Sequence, residues 1–168
     1  GAGAAHRPPR QLGELRAGRA GIDDLPRLGI DHQRLRRAAH AEAFADELRV
    51  IKRPLLQNAT GKSAAPIMDA NLIMITSAVP AEGKTHLATN LAISIAMELD
   101  HTVLLVDADV ARPSIPGVLG IGNEKGLLDM LLDSSLDLSQ VLLRTNIDKL
   151  SILQAGTQHP RATELLAS

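Results

Sequence analysis

Eight consecutive residues have the types and spacing of a loop that binds phosphate. They are Ala78, Val79, Pro80, Ala81, Glu82, Gly83, Lys84 and Thr85, and they fit the phosphate-loop pattern with alanine in the first glycine position. Backbone N–H groups of such a turn form a concave anion site, to which the following helix adds partial positive charge. In this pattern Lys84 reaches the β- and γ-phosphates, and the Thr85 hydroxyl binds Mg²⁺. The sequence therefore predicts a site for a nucleoside triphosphate with Mg²⁺.

Two carboxylates follow the next apolar segment of the chain. Asp107 and Asp109 come directly after residues 103–106, and they point the same way if the strand geometry continues. Ligands bind at the carboxyl ends of strands in an open parallel sheet. Beside a phosphate loop, one carboxylate can hold Mg²⁺ or its water, and the other can accept a proton from an attacking hydroxyl. The alternative is that both only cap the strand end and the following turn.

Two further side chains are candidates for contact with phosphate. Arg112 lies close to the carboxylates along the chain, where it can bind phosphate or pair with a carboxylate. His86 follows the loop directly, and for this residue a solvent-facing position in the first helical turn is the alternative. We interpret Gly117, Gly120, Gly122 and Gly126 as turn glycines, because no buried strand feeds a helix there.

The elements that must position these residues alternate between strand and helix. Apolar runs predict buried strands over 72–76, 103–106 and 150–153. Apolar residues four apart predict a helix over 84–99, and shorter helices are expected over 126–132 and from residue 161 onward. This order predicts the α/β class, with a parallel sheet flanked by helices as in phosphate-loop nucleotide hydrolases. Residues 71–168 form this domain, and the sheet is expected to be incomplete.

The chain before this domain divides into three parts. Residues 1–27 are rich in Gly, Ala, Arg and Pro, and are expected to form a disordered leader. Residues 28–58 are predicted to be helical, and Pro54 should end or kink the helix in which it lies. Residues 59–70 are a predicted linker. Its Gly61-Lys62-Ser63 sequence mimics the end of a phosphate loop, but no strand precedes it and Pro66 follows it, so we reject it as a site.

Composition excludes several classes of protein. Hydrophobic residues make up 45% of the 168 residues, which is enough for a packed core. With no cysteine, a disulfide framework, a Cys-ligated metal site and a thiol nucleophile are excluded. There is one aromatic residue, Phe44, and no tyrosine or tryptophan. No apolar run approaches the roughly 20 residues of a membrane-spanning helix.

Charge is distributed unevenly along the chain. Residues 1–53 contain eleven Lys and Arg against seven Asp and Glu, although the net charge of the whole chain is −1. Such a basic segment suits nucleic acid, acidic lipid or an acidic partner, and the alternative is a solvated arginine-rich tail. We favour the solvated tail and predict no nucleic-acid partner.

Five segments, in this order, resemble the bacterial tyrosine autokinases that control exopolysaccharide export. The phosphate loop and acidic segments are SAVPAEGKTHLATNLA (77–92) and VLLVDADVARPS (103–114). The other three are ADELRVIKRPLLQNA (45–59), LGIGNEKGLLDMLL (119–132) and LSILQAGTQHPRATELLAS (150–168). The first of these three is most similar to the branch encoded with exosortase-dependent polysaccharide systems. The resemblance implies an ATP-dependent protein-tyrosine kinase that phosphorylates itself and regulates exopolysaccharide synthesis and export.

The resemblance also implies roles for individual residues. Gly83, Lys84 and Thr85 would bind ATP and Mg²⁺, Asp107 would have a Mg²⁺-linked role, and Asp109 would activate the attacking tyrosine. In the family's oligomerisation helix, an acidic residue is followed at three-residue steps by two basic ones. Asp46, Arg49 and Lys52 match that spacing. They imply a homo-oligomer, and the alternative is a solvated helix face.

Partners and location also follow from the resemblance. A membrane-embedded regulator of polysaccharide chain length or export would activate the kinase. The protein would then be cytoplasmic, at the inner face of the plasma membrane through that partner.

Three departures from the family pattern matter. Val79 stands where the partitioning and septum-site ATPases carry a second signature lysine, which favours a kinase over that alternative function. The family's third motif, an apolar strand ending in Asp, should follow the helix that begins near Arg161. Its tyrosine-rich tail is absent from these residues. The resemblance therefore implies the front portion of such a kinase, incomplete for catalysis.

Overall fold

The computed structural model describes residues 27–29, 41–65, 67–98 and 100–167. The predicted leader over 1–26, and the predicted helical residues 30–40, lie outside the described residues. Residues 27 and 28 lie where the predicted leader meets the predicted helical segment. Both predictions are wrong at these two residues, because Arg27–Leu28 forms a short strand, β1, that pairs with another strand. The first described helix begins only at Ala41.

One mixed sheet lies at the centre of the described chain. Its other strands are β2 (Val103–Val106), β3 (Leu142–Thr145) and β4 (Leu150–Leu153), and the strand order is β1-β3-β4-β2. β2 pairs with β4 in parallel, as predicted, and β1 pairs with β3 in parallel. The α/β class is confirmed, and the strands at 103–106 and 150–153 form as expected.

The prediction of a wholly parallel sheet is wrong at β3, which pairs antiparallel with β4. Only residues 146–149 connect these two strands, and a parallel crossover needs a dozen residues or more. Thr145 stabilises the turn: its hydroxyl accepts a hydrogen bond from the Ile147 N–H (3.1 Å) and donates one to the Leu150 carbonyl (2.9 Å). Lys149, at φ 66°, completes the reversal.

Six helices accompany these strands within the described ranges. The long ones are α1 (Ala41–Ala59) and α2 (Lys84–Ala96), and the short ones are α3 (Ile115–Leu119), α4 (Leu127–Leu132), α5 (Leu138–Val141) and α6 (Ala162–Leu166). Helix α2 ends earlier than predicted, whereas α4 and α6 lie where the sequence places them. No described helix combines the length and apolar content needed to cross a membrane.

The main core lies between α2, α3 and one face of the sheet. It contains Ala92, Ala96, Leu105, Ile115, Leu119, Leu150 and Ile152. Leu119 and Ile152 are completely buried. Aliphatic side chains thus supply the core volume, as the near-absence of aromatic residues requires. This packing fixes the start of α2, where the phosphate loop ends, relative to the end of β2.

Helix α1 continues through Pro54, so of the two predicted effects of this proline, an end or a kink of the helix, the first does not occur. Proline removes one N–H donor and crowds the preceding turn. The cost is offset by apolar packing on both sides of it, because Leu48, Leu55 and Leu56 pack with Leu91 of α2. The helix ends before Gly61, whose φ is 68°. The Lys62 N–H donates to the Gln57 carbonyl (2.9 Å), which is a glycine C-cap.

The predicted strand at residues 72–76 does not form. Leu72 and Met74 are 77% and 84% exposed, while Ile73 and Ile75 are half-buried, so the segment is not buried on both faces. A strand requires a hydrogen-bonded neighbour. Within the part of the chain that the structure describes, no strand pairs with this segment. Alternating exposure shows that the segment is nevertheless extended.

An ion pair joins α1 to the end of α2. The Lys52 ammonium lies 2.6 Å from the Glu98 carboxylate and donates to the Ser94 carbonyl at 3.2 Å. The side chain of Lys52 is only 12% exposed. Its hydrogen bond and charge lower the pKa of Glu98. Asp46 and Arg49 instead pair with each other in solvent at 2.6 Å, so the three residues do not share one exposed face.

Lys52→Ala is therefore expected to lower the melting temperature more than Arg49→Ala does. Loss of Lys52 removes its contacts with α2, whereas the pair of Arg49 with Asp46 is solvent-exposed and contributes little. Thermal unfolding followed by circular dichroism measures both variants. Equal melting temperatures for the two would show that the contacts of Lys52 do not stabilise the packing of α1.

Candidate active site

The phosphate loop adopts a backbone suited to an anion. Ala81 and Gly83 have φ angles of 68° and 87°, and such residues turn successive N–H groups toward one side. Among the described residues, the N–H groups of residues 81–85 have no hydrogen-bond acceptor, and they therefore remain available to phosphate oxygens. The Val79 N–H donates to the Glu82 carboxylate at 3.2 Å. The positive φ of Ala81 is not apparent from the sequence, since glycine is the usual residue there.

Lys84 begins α2 and connects the loop to the acidic residues after β2. Its ammonium lies 3.3 Å from the Asp109 carboxylate, and each side chain is about one-third exposed (33% and 32%). The structure thus brings together two residues that the sequence assigns to one site from separate motifs. Asp109 also accepts a hydrogen bond from the Arg112 N–H at 3.1 Å, which fixes the turn after β2.

Asp107 is buried and held by backbone donors. One carboxylate oxygen accepts hydrogen bonds from the N–H groups of Ser114 and Ile115, both at 3.1 Å. The other accepts from the Asp109 N–H at 3.3 Å. A carboxylate has about four lone-pair positions, so these bonds leave room for one more partner. Asp107 therefore organises the loop after β2, and it fits a Mg²⁺ role through a single remaining position.

Burial raises the pKa of the Asp107 carboxyl, because an ionised group is poorly solvated there. The N–H groups of Ile115, Ser114 and Asp109 oppose this effect but do not cancel it, and the nearby Asp109 charge adds to it. A divalent cation close to the carboxylate would favour the ionised form.

Thr85 contacts a residue that the sequence analysis does not assign to the site. Its hydroxyl oxygen lies 2.8 Å from the hydroxyl oxygen of Ser114. In the sequence, the one indication that Ser114 lies near Thr85 is its position seven residues after Asp107. Within the described ranges, no group of three or more His, Asp and Glu side chains could enclose a metal ion. A Mg²⁺ site here would depend on Thr85, Asp107, phosphate and water, as is usual for nucleotide-bound Mg²⁺.

The remaining sequence candidates lie around this centre with less defined contacts. Arg112 and Val79 are exposed, and His86 is half-buried in the first turn of α2. The His86 carbonyl accepts a hydrogen bond from the Asn90 side chain at 2.8 Å. Ala78, Pro80 and Glu82 are exposed along the loop. Their contacts with nucleotide stay predictions.

A second loop is clamped against the carboxyl end of β4. The buried Gln154 side chain accepts a hydrogen bond from the Glu124 N–H (2.9 Å) and donates one to the Gly122 carbonyl (2.8 Å). A β-carbon at Gly126 would overlap the Gln154 carbonyl oxygen. Gly126 is thus required because its backbone lies close to the backbone of Gln154, and not merely because a turn occurs there. Gly120, with φ 71°, does serve as a turn glycine at the end of α3.

Asp129 of α4 completes this clamp. Burial alone would raise its pKa, but hydrogen bonds from the N–H groups of Thr157 (2.9 Å) and Gly126 (2.8 Å) outweigh burial and lower it. The depressed pKa means that ionised Asp129 stabilises the folded state.

Asp129→Asn is therefore expected to lower the free energy of unfolding at pH 7 by about 1–2 kcal/mol, since two bonds to a charged acceptor weaken. The stabilisation is present above the ordinary Asp pKa of about 3.9 and is lost as pH falls through the lower folded-state pKa. Urea unfolding of parent and variant between neutral and acid pH measures it, with Asp100→Asn as an exposed control. If the difference in free energy of unfolding between the parent and Asp129→Asn does not change with pH, ionised Asp129 does not stabilise the folded state.

Known proteins similar to this chain are bacterial tyrosine kinases. No protein-family model matches the chain. It is 38% identical over 96 residues to tyrosine-protein kinase YwqD of Bacillus subtilis, a match that covers 57% of this chain and 40% of that protein. It is 29% identical over 143 residues to tyrosine-protein kinase CpsD of Streptococcus agalactiae, covering 84% and 57%. The chain is homologous to bacterial tyrosine kinases.

Solved structures of tyrosine kinases are also similar to the chain. The kinase domain of Escherichia coli tyrosine kinase ETK superposes with a TM-score of 0.64 at 27% identity, covering 88% of this chain and 54% of that one. The chimerical protein CapA2B2 superposes with the same TM-score and identity, covering 86% and 61%. The α/β kinase fold is thereby confirmed, and the relatives favour a kinase over a partitioning ATPase. The chain spans between 40% and 57% of these two curated relatives. The exosortase branch stays a prediction.

Proposed function

We propose that the chain contains the nucleotide-binding part of an ATP-dependent protein-tyrosine kinase that phosphorylates itself and regulates exopolysaccharide synthesis and export. The observation that carries the proposal is the 3.3 Å contact between Lys84 of the phosphate loop and Asp109 after β2. This contact supports the proposal because the ammonium expected to bind phosphate lies beside the carboxylate expected to accept a proton. Homology to proteins named tyrosine-protein kinase supports the reaction type.

Each residue has a distinct role in this proposal. When bound, ATP supplies the γ-phosphoryl group and Mg²⁺ neutralises charge on its oxygens. The N–H groups of residues 81–85 and the Lys84 ammonium would hold the phosphates. Thr85 and Asp107 would hold Mg²⁺ or its water. Asp109 would accept the proton of the attacking tyrosine hydroxyl, and catalysis would consist mainly of positioning and charge neutralisation.

The ion pair of Lys84 with Asp109 must open for both residues to act. The Lys84 ammonium is a compact charge on a flexible stem, so it can leave the carboxylate for a phosphate oxygen. Asp109, released from Lys84, then has an oxygen available for the hydroxyl proton. Its other oxygen keeps the Arg112 N–H bond, which holds the carboxylate in place. The same pair therefore keeps both side chains at the site before nucleotide binds.

Competition with a fluorescent ATP analogue tests the nucleotide site. ATP and ADP are expected to displace the analogue, and AMP is expected to bind at least about tenfold more weakly, because it lacks the phosphates that Lys84 and the loop would contact. If AMP competes as well as ATP, the phosphate loop is not the site of binding.

We propose that α1 takes part in a homo-oligomer, as the family resemblance implies. Asp46 and Arg49 support this role because they are 69% and 72% exposed, beside Val50, which is 76% exposed. Lys52 contacts α2 of the same chain instead. Sedimentation of the Arg49→Glu variant against the parent tests the surface. An unchanged oligomeric state would remove this face from the proposal.

We propose further that a membrane-embedded regulator of polysaccharide chain length or export activates the kinase and holds it at the inner face of the plasma membrane. The motivating observation is the likeness to kinases and to the chimerical protein CapA2B2. Membrane fractionation of cells with and without the regulator tests this. Equal membrane association in both would contradict it.

We propose that the family's strand that ends in Asp would pair with the extended segment over residues 72–76. Leu72 and Met74 are exposed on the extended segment before the phosphate loop, and Leu104 and Val106 of β2 are 46% and 39% exposed. An apolar strand beside these residues would bury them and pair with the backbone of residues 72–76. Hydrogen exchange on a protein that contains both this chain and such a strand tests this, with protection of residues 72–76 as the expected result. Rapid exchange there would contradict it.

A further inference from the structure

The contact between Thr85 and Ser114 joins the phosphate loop to the segment after β2. The two hydroxyl oxygens lie 2.8 Å apart, and both residues are half-buried. Ser114 lies 29 residues after Thr85, at the end of the acidic segment 103–114. The contact is therefore a tertiary interaction at the site and not a local turn.

The chemistry of a hydroxyl gives this contact a direction. A hydroxyl has one hydrogen to donate and two lone pairs. If Thr85 uses a lone pair to bind a cation, its hydrogen must point to a different acceptor. Ser114 is at hydrogen-bond distance to accept it. A bond in this direction leaves the lone pairs of Thr85 free and restricts rotation about its side chain.

We propose that Ser114 is a positioning residue, which orients the Thr85 hydroxyl toward the Mg²⁺ of a bound nucleotide. This inference rests on the proposed nucleotide site. Ser114 acts through Thr85 and makes no contact with the reacting atoms. Its loss should weaken the Mg²⁺-dependent part of nucleotide binding and leave the Mg²⁺-independent part unchanged.

Ser114 is itself fixed by its backbone. Its N–H donates to the buried Asp107 carboxylate at 3.1 Å, and the N–H of Ile115 donates to the same oxygen. Ile115 lies in the main core, where it is 4% exposed. One residue therefore links Thr85, through its side chain, to Asp107, through its main chain. The two candidate Mg²⁺ residues are held together by Ser114.

Titration of a fluorescent ATP analogue, in EDTA and in saturating Mg²⁺, separates positioning from simple packing. Ser114→Ala is expected to weaken binding in Mg²⁺ about fivefold, the effect of one lost hydrogen bond, and to change binding in EDTA less than about twofold. Ser114→Thr retains the hydroxyl and should bind as the parent does. Ser135→Ala, which removes an exposed hydroxyl bonded to Asp133, serves as the control.

The outcomes are distinguishable. One outcome is that Ser114→Ala lowers the melting temperature but does not change how much Mg²⁺ strengthens binding of the ATP analogue. That result would show that Ser114 has only a structural role, and it would overturn the inference. If Ser114→Ala does not fold, Ser114→Gly removes the same hydroxyl and keeps the N–H, and the same comparison decides. If the parent binds no nucleotide in either buffer, the proposed function fails, and the inference about Ser114 fails with it.

Discussion

Lys84→Ala is expected to weaken ATP·Mg²⁺ binding about 10- to 100-fold, because it removes a charge-assisted contact worth about 1.5–3 kcal/mol. The loop N–H groups of residues 81–85 remain, so binding is reduced and not abolished. Isothermal titration of the parent and variant measures the effect. The fold should persist, because the Lys84 side chain is 33% exposed and its one ion pair is with a similarly exposed carboxylate.

Lys62→Ala provides a matched control within the same chain. Lys62 follows Gly61 in the sequence that mimics a phosphate loop, but the structure shows that this glycine caps the end of α1. ATP binding should therefore be unchanged in Lys62→Ala. Equal losses in the two variants would show a nonspecific effect of charge, and an unchanged Lys84→Ala would mean that the loop is not the nucleotide site.

Gly126→Ala is expected to lower the free energy of unfolding by about 2–3 kcal/mol, as overpacking of a tight site does. The added β-carbon would meet the backbone carbonyl of Gln154, which cannot rotate away as a side chain would. That carbonyl accepts a hydrogen bond from the Leu127 N–H at 2.8 Å, and the start of α4 would have to move. Urea unfolding at neutral pH measures the loss.

Gly117→Ala is the corresponding control. Gly117 lies inside α3, with no atom close to an added β-carbon. Alanine is better than glycine in a helix by about 0.5–1 kcal/mol, so this variant should be neutral or more stable. If Gly126→Ala unfolds no more easily than Gly117→Ala, the clamp between this loop and β4 does not hold the fold together.

The sequence predicts the proximity of Lys84 and Asp109 better than it predicts the pairing of the strands. Spacing alone places Lys84 in a phosphate loop and Asp109 just after a strand, and the structure brings the two side chains together. Such motifs are readable because each needs particular residue types at particular positions. The α/β class follows equally from the alternation of apolar strands with amphipathic helices.

The predictions are wrong where the structure of a segment depends on the elements packed or paired with it and not on its local sequence. Residues 72–76 have the composition of a buried strand but lack a paired strand among the described residues. β3 is missed because its antiparallel pairing depends on the tight turn before β4. Pro54 is tolerated because α1 packs against α2 on both sides of it. None of these partners can be read from the segment itself.

Two contacts at or near the site also cannot be predicted from a single sequence. Ser114 and Thr85 meet only because the fold places the start of α3 beside the start of α2. Gly126 resembles an ordinary turn glycine, and its close approach to Gln154 depends on the path of a separate strand. Long-range packing determines both.

Tyrosine phosphorylation is the most direct test of the central claim, that this fold is part of a tyrosine kinase using Lys84. The 168 residues contain no tyrosine, so the measurement requires a protein that carries them together with tyrosine residues. Incubation with ATP and Mg²⁺ followed by mass spectrometry should find phosphotyrosine in the parent and a loss of it in Lys84→Ala. Persistent absence of phosphotyrosine in the parent, or equal amounts in both proteins, would contradict the account.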